Sequence, residues 1–240
     1  LITFDGINYS SFTTNNSGIA SNNITAVAVD SATNTYFIAT SDSGLSVFNG
    51  NTWVNFNTSN SGIASNKLTC LKVKNNIAYL GSSVGLSIYN AGTILNYTVN
   101  NSTLQCDTIL SLECDNLGNL WIGRTKVLLY FDGVNFSSVS AFNNQVISAV
   151  CFADNYLWIS AQEIFRMQNN SIKSIGEIFY TPAQITLFSN NLAKRPNYGL
   201  LISTKHCFCE IVNGKQKFYS NYNNSCSYYT LQFFFSKKRN

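Results

Sequence analysis

Apolar residues in this chain fall in short alternating runs, separated by Gly, Asn, Ser or Asp. The best-formed set is Leu68–Lys74 (LTCLKVK), Ile77–Leu80 (IAYL), Leu86–Tyr89 (LSIY) and Ile94–Tyr97 (ILNY). Each run is rich in β-branched and aromatic residues, which fit a pleated, half-buried surface, so four short strands are predicted. No stretch keeps apolar residues at the 3.6-residue spacing of a helix face, and no substantial helix is expected. Asp-Gly and Asn-Gly pairs such as Asp132-Gly133 mark hairpin turns, because both residues accept positive φ.

The set of strands recurs. The block before the hairpin turn reads LITFDG at Leu1, LSVFNG at Leu45, LSIYNA at Leu86, LLYFDG at Leu128, IFRMQN at Ile164 and CEIVNG at Cys209. A second landmark, Phe37, Tyr79, Trp121, Trp158 and Leu201, keeps the same interval of about 42 residues. The linkers NSGIASNNIT (Asn16–Thr25) and NSGIASNKLT (Asn60–Thr69) echo each other. Four-stranded units at this period make an all-β fold, a β-propeller, because a lone sheet cannot bury both faces and blades packed face to face can. The large landmark residue is then the wedge between blades. The small residue two positions on (Ala39, Gly81, Gly123, Ser160, Ser203) lets the next sheet approach.

Residues 1–240 read as one propeller domain. The first unit opens on its third strand and the last stops after Tyr228–Phe235. This predicts six blades with the termini sharing one, or else part of a seven-blade or larger ring. The chain opens on a strand block with no leader, as a mature or excised piece would.

Charged residues make up only 11% of the chain, while it holds 34 Asn and 48 Ser plus Thr. A surface covered by amides and hydroxyls is commoner outside cells than in the cytosol. Ten Asn-x-Ser/Thr sequons are glycosylation candidates: Asn8, Asn15, Asn23, Asn57, Asn96, Asn100, Asn101, Asn135, Asn169 and Asn223. The net charge of +4 is uneven, with acidic residues early and Lys237-Lys238-Arg239 at the end. No nucleic-acid module accompanies the basic end, so nucleic acid is not expected as a partner. Nothing approaches the run of about 20 apolar residues needed for a membrane span.

Catalytic machinery is sparse. Asp5 and Asp132 sit in hairpin turns, and Asp30, Asp115 and Asp154 sit in the turn after a first strand, where a carboxylate serves the backbone. No other carboxylate pair has local spacing suited to acid/base work, so no catalytic residue and no cofactor is assigned. His206, with Cys207 and Cys209, falls short of the four ligands of a structural zinc site, and no metal is expected. Of seven cysteines, Cys70, Cys114 and Cys151 lie on first strands as small apolar residues, and Cys106 and Cys226 just before first strands. An oxidising compartment would allow one or two disulfides, with at least one thiol left over. Charged and irregular residues gather where second strands turn into third strands: Asp42, Arg124, Lys126, Glu163, Lys205 and His206. These connections share one face of a propeller, which is the expected ligand-binding face.

The repeat resembles the two-component regulator propeller repeat. The likeness rests on first strands ending in Asp, on Gly118-Asn119-Leu120-Trp121-Ile122-Gly123, on Gly44 to Gly50 (GLSVFNG) and on Gly85 to Tyr89 (GLSIY). It covers Leu1 to about Gln168 and fades afterwards. The resemblance implies an extracytoplasmic propeller of the kind that senses glycans in bacterial hybrid sensor kinases. This chain carries no kinase, membrane span or β-sandwich region.

The expected function is therefore non-enzymatic recognition outside the cell or at its surface. The partner is a glycan or protein at a loop face, in a surface appendage, an adhesin or a virion. A ligand-sensing ectodomain of a two-component regulator is the alternative, and a propeller lyase or hydrolase a second alternative. The charge gradient would also suit head-to-tail self-assembly.

Overall fold

The computed structural model describes residues 1–4, 6–104, 108–153, 155–161 and 163–174, together with the backbone of four further strands between 191 and 220. Asp5, Cys106, Asp154, Lys205, His206, Asn223, Cys226 and the Tyr228–Phe235 strand lie outside the described residues. So do the side chains of Leu201, Ser203, Cys207 and Cys209.

A hairpin comes first, β1 (Ile2–Phe4) and β2 (Tyr9–Ser11). The first blade contains β3 (Ile24–Asp30), β4 (Thr35–Thr40), β5 (Leu45–Phe48) and β6 (Trp53–Phe56). The second contains β7 (Leu68–Lys74), β8 (Ile77–Ser82), β9 (Leu86–Asn90) and β10 (Thr93–Tyr97). The third contains β11 (Ile109–Cys114), β12 (Leu120–Arg124), β13 (Leu128–Phe131) and β14 (Phe136–Ser138). The fourth contains β15 (Ala149–Ala153), β16 (Tyr156–Ser160), β17 (Ile164–Gln168) and β18 (Ser171–Ser174). The fifth contains β19 (Asn191–Arg195), β20 (Gly199–Ser203), β21 (Cys207–Val212) and β22 (Lys215–Ser220). Every blade is an antiparallel meander, giving five four-stranded sheets and one two-stranded sheet among the described residues. The sole helical element described is a single 3-10 turn at Ser140–Phe142.

This is a β-propeller. The first strands of successive blades pack side by side, β3 on β7, β7 on β11, β11 on β15 and β15 on β19. They form the inner wall, and the fourth strands lie outermost. The core follows the seams. Phe37, Ala39 and Leu45 of the first blade pack with Leu68, Ala78 and Leu80 of the second. Tyr79, Ile88 and Tyr97 of the second pack on Leu112, Leu120 and Leu129 of the third. Trp121 packs against Val150, Leu157 and Ile159 of the fourth. Phe37, Tyr79 and Trp121 are thus inter-blade wedges, as the repeat predicted.

The small-residue rule holds for a steric reason. A Cβ on Gly81 would lie 2.4 Å from the Cys70 sulfur and 2.8 Å from Ile109 of the next blade. On Gly123 it would lie 2.3 Å from Ser111 Oγ and 2.9 Å from both the side chain and the carbonyl oxygen of Ile147.

A second repeated seam was not visible in the sequence. Phe12, Phe56 and Tyr97, just past or at the end of outer strands, reach the next unit's third strand. Their ring centroids lie 5.8 Å from Phe48, 4.9 Å from Tyr89 and 5.1 Å from Phe131, respectively. The linkers are then pinned by hydrogen bonds. Ala20 N donates to Ser46 Oγ at 3.0 Å, Ser46 Oγ donates to Asn55 Oδ1 at 2.7 Å, and Asn55 Nδ2 donates to the Gly18 carbonyl at 3.0 Å. The second blade repeats this with Ala64, Ser87, Asn96 and Gly62. Much of the asparagine content therefore serves the backbone of linkers whose own polar groups have no ladder partner.

Candidate functional site

Of the predicted face, where second strands turn into third, Asp42, Arg124, Lys126 and Glu163 are among the described residues. Asp42 is exposed and accepts a hydrogen bond from Asn23 Nδ2 at 2.6 Å. Hydrogen bonds from Asn23 and Ser21 hold its carboxyl below the usual carboxylate range. Lys126 is exposed. Glu163 is half-buried and accepts a hydrogen bond from Ser174 Oγ. Arg124 corrects the expectation: it is 0% exposed and does not present itself at the surface. β12 runs through Arg124, so strand alternation places it on the same face as the buried Leu120 and Ile122.

The opposite face, where first strands turn into second, contains a cavity of about 360 Å³. Its walls come from the ends of β7, β11 and β15, so three blades build it. Lys72 and Lys74 alternate onto one side of β7, and Lys72 pairs with Glu113 of β11. Glu113 Oε1 also accepts the Cys114 backbone N–H at 2.9 Å. The Lys74 ammonium donates to the Asp115 carbonyl oxygen across the seam. Asn116 Nδ2 donates to Asn155 Oδ1 at 3.4 Å across the next seam. Phe152 supplies a half-buried aromatic wall.

Asp115 does the turn work foreseen for it. Its Oδ1 accepts N–H groups of Leu117 and Asn119, both at 2.9 Å, and its Oδ2 accepts Asn119 Nδ2 at 3.0 Å and the indole N–H of Trp121 at 3.3 Å. Asp30 repeats the device, accepting from Ala32 and Thr33 with one oxygen. Its other oxygen accepts the Asn76 N–H of the second blade.

The cavity thus offers ammonium and amide donors, carboxylate and carbonyl acceptors, and one apolar wall. Its thiol is unactivated: burial pushes Cys114 up to about 11, and Cys70, on the same ring of inner strands, up to about 12. Native protein treated with iodoacetamide at pH 8 is therefore expected to keep both thiols unmodified. Denatured protein should be alkylated at both, as peptide mass spectrometry would show. Rapid native labelling of Cys114 would mean that the cavity wall opens. Cys70 and Cys114 are free thiols, and no group of three or more potential metal ligands occurs among the described residues.

Sequence reasoning missed this cavity. Its visible signal was the Lys72-x-Lys74 alternation at the end of a first strand, one of few places where charge enters an inner strand.

The sequons fall into two groups. Asn8, Asn15, Asn100, Asn135 and Asn169 are exposed, and Asn57 is half-buried. Asn23, Asn96 and Asn101 already donate through Nδ2, the atom that would carry a glycan. Their acceptors are Asp42, the Gly62 carbonyl and the Asn96 carbonyl.

No protein-family model matches the chain, and no curated protein matches it. Solved structures do. Two structures of the extracellular domain of BT4673 from B. thetaiotaomicron, titled as a one-component and as a hybrid two-component system, align with TM-scores of 0.71 and 0.68. Identity is 16% in both, over 91% of this chain and 30% of theirs. The extracellular domain of the hybrid two-component system BT3049 from the same organism aligns with a TM-score of 0.65 and 13% identity, over 89% of this chain and 35% of that one. The WD40 β-propeller domain of Doa1 aligns at 0.61 with 10% identity, over 81% of this chain and 67% of that domain. These likenesses show a shared propeller fold. The chain spans about a third of the length of the two ectodomains it matches.

Proposed function

We propose that this propeller is a ligand-sensing recognition unit that works outside the cell, and that its ligand enters the three-blade cavity at the first-to-second-strand face. The observation that carries the reading is the cavity itself, a concave site of ligand size lined by donors, acceptors and an aromatic wall. The likeness to ectodomains of two-component systems supports a sensing role over adhesion. Sensing also suits a cavity whose walls belong to three blades, because a ligand touching all three biases how their seams pack. No helix among the described residues is long and apolar enough to cross a membrane. Recognition is favoured over catalysis because the described wall carries neither an activated nucleophile nor a histidine.

The ligand class is a polar molecule with an apolar face, such as a glycan or a peptide segment. The test is calorimetric titration with oligosaccharides and short peptides, using wild type, Phe152→Ala and Asn116→Ala. A ligand of this site is expected to lose at least tenfold in affinity on Phe152→Ala. Binding that instead responds to Asp42→Ala or Lys126→Ala would move the site to the opposite face.

A further inference from the structure

The three-blade cavity has an uneven stock of open hydrogen-bonding groups. Its acceptors are mostly spent inside the protein. The Asp115 carboxylate accepts from the N–H groups of Leu117 and Asn119, from Asn119 Nδ2 and from the Trp121 indole. The Asp115 carbonyl oxygen accepts from Lys74, and Asn155 Oδ1 accepts from Asn116 Nδ2. Glu113 is tied through Oε1 to Lys72 and to the Cys114 N–H. Its side chain is 12% exposed against 32% for Lys72, so the lysine offers more of itself to the cavity than the carboxylate does.

Donors are in surplus. An ammonium has three N–H bonds and accepts none. Lys72 uses its ammonium on Glu113, and Lys74 uses its own on a neutral carbonyl, with no carboxylate in ion-pair contact among the described residues. The two lysines alternate onto one side of β7, so their open N–H bonds share a wall. The exposed amides of Asn116 and Asn155 add donors at the rim, and Phe152 closes the opposite wall with a half-buried ring.

We propose, resting on the reading of this cavity as the ligand site, that its ligand is a sugar of uronic-acid type. The sugar carboxylate accepts from the Lys72 and Lys74 ammonium groups. The C–H face of the ring lies on Phe152, and the hydroxyls meet the Asn116 and Asn155 amides. An acidic peptide fits less well. Its backbone brings an N–H for nearly every carbonyl, and the cavity has few acceptors left to receive them. A volume of about 360 Å³ is at the small end of ligand pockets, which run from about 300 to 1,000 Å³, so the site holds the end of an oligosaccharide and not a long stretch of it.

The test is calorimetric titration of wild type, Lys74→Met and Phe152→Ala with short oligosaccharides of glucuronate and galacturonate. Each acid is paired with the neutral sugar made by reducing its carboxyl group to the alcohol. Wild type is expected to bind the acid at least about tenfold more tightly than its neutral partner, the usual gain from hydrogen bonds to a charged group. Most of that preference should vanish as NaCl rises from about 50 mM to about 500 mM. Lys74→Met should erase the preference and leave the neutral sugar nearly unaffected. If Lys74→Met does not fold, the acid-against-neutral comparison on wild type decides. Equal binding of acid and neutral sugar, both weakened by Phe152→Ala, would overturn the uronate and leave the cavity standing as the ligand site. Tighter binding of a glutamate tripeptide than of any uronate would overturn the sugar in favour of a peptide. No binding of any uronate would overturn the assignment outright. Uronate binding indifferent to both Lys74→Met and Phe152→Ala would overturn it together with the cavity.

Discussion

Phe37→Ala is expected to lower the unfolding free energy by about 3–5 kcal/mol, the usual cost of deleting a fully buried ring from a packed core. Phe37 is 1% exposed and stands edge-on to Tyr89 of the second blade, with centroids 6.1 Å apart. The loss leaves a void at a seam, and neighbouring blades are tied to their own ladders and cannot collapse into it. Domains of this kind have total stabilities of about 5–15 kcal/mol, so the variant should sit near its unfolding threshold at ambient temperature. Urea titration followed by tryptophan fluorescence and circular dichroism checks it. The equivalent Tyr79→Ala should cost less, because Tyr79 is only half-buried. Equal costs at the two positions would mean that the seams are not packed as described.

Gly123→Val is the second large effect, with an expected loss of about 3 kcal/mol from overpacking. Gly123 has no positive φ to protect, so its requirement for glycine is purely one of space. The Ile147 carbonyl oxygen 2.9 Å from a Cβ there belongs to the backbone. That backbone is held by the Ile147 N–H donating to the Arg124 carbonyl at 2.7 Å, and it cannot yield without opening the seam between the third and fourth blades. Ser111 is the softer neighbour. A Ser111→Gly change should recover part of the loss, and failure of that rescue would point to the backbone clash as the whole cost.

The strands of the first four blades were legible because their signals are local. Leu68–Lys74 was placed residue for residue, and the Asp30 and Asp115 turns follow from what a carboxylate does two to four residues from N–H groups. The wedge and its small companion were legible because repetition exposes them. Trp121 and Gly123 keep their spacing in Tyr79 and Gly81, and one inter-blade contact repeated around a ring imposes the same two sizes each time.

The site was not legible in the same way. Lys72 and Glu113 are 41 positions apart, and Asn116 and Asn155 are 39 apart. Nothing local marks them as neighbours. Arg124 shows the opposite error: beside Thr125 and Lys126 it looked like one more surface charge, and only the length of β12 put it on the buried side.

The sequence alone carried the period, the strand order within each blade and the turns, since these depend on side-chain alternation and on φ values set within a few residues. The tertiary structure decided which strand ends meet across the seams, which charges pair there and which one is enclosed. Those outcomes depend on the rotation from blade to blade, and that rotation is set by how whole faces of the sheets pack.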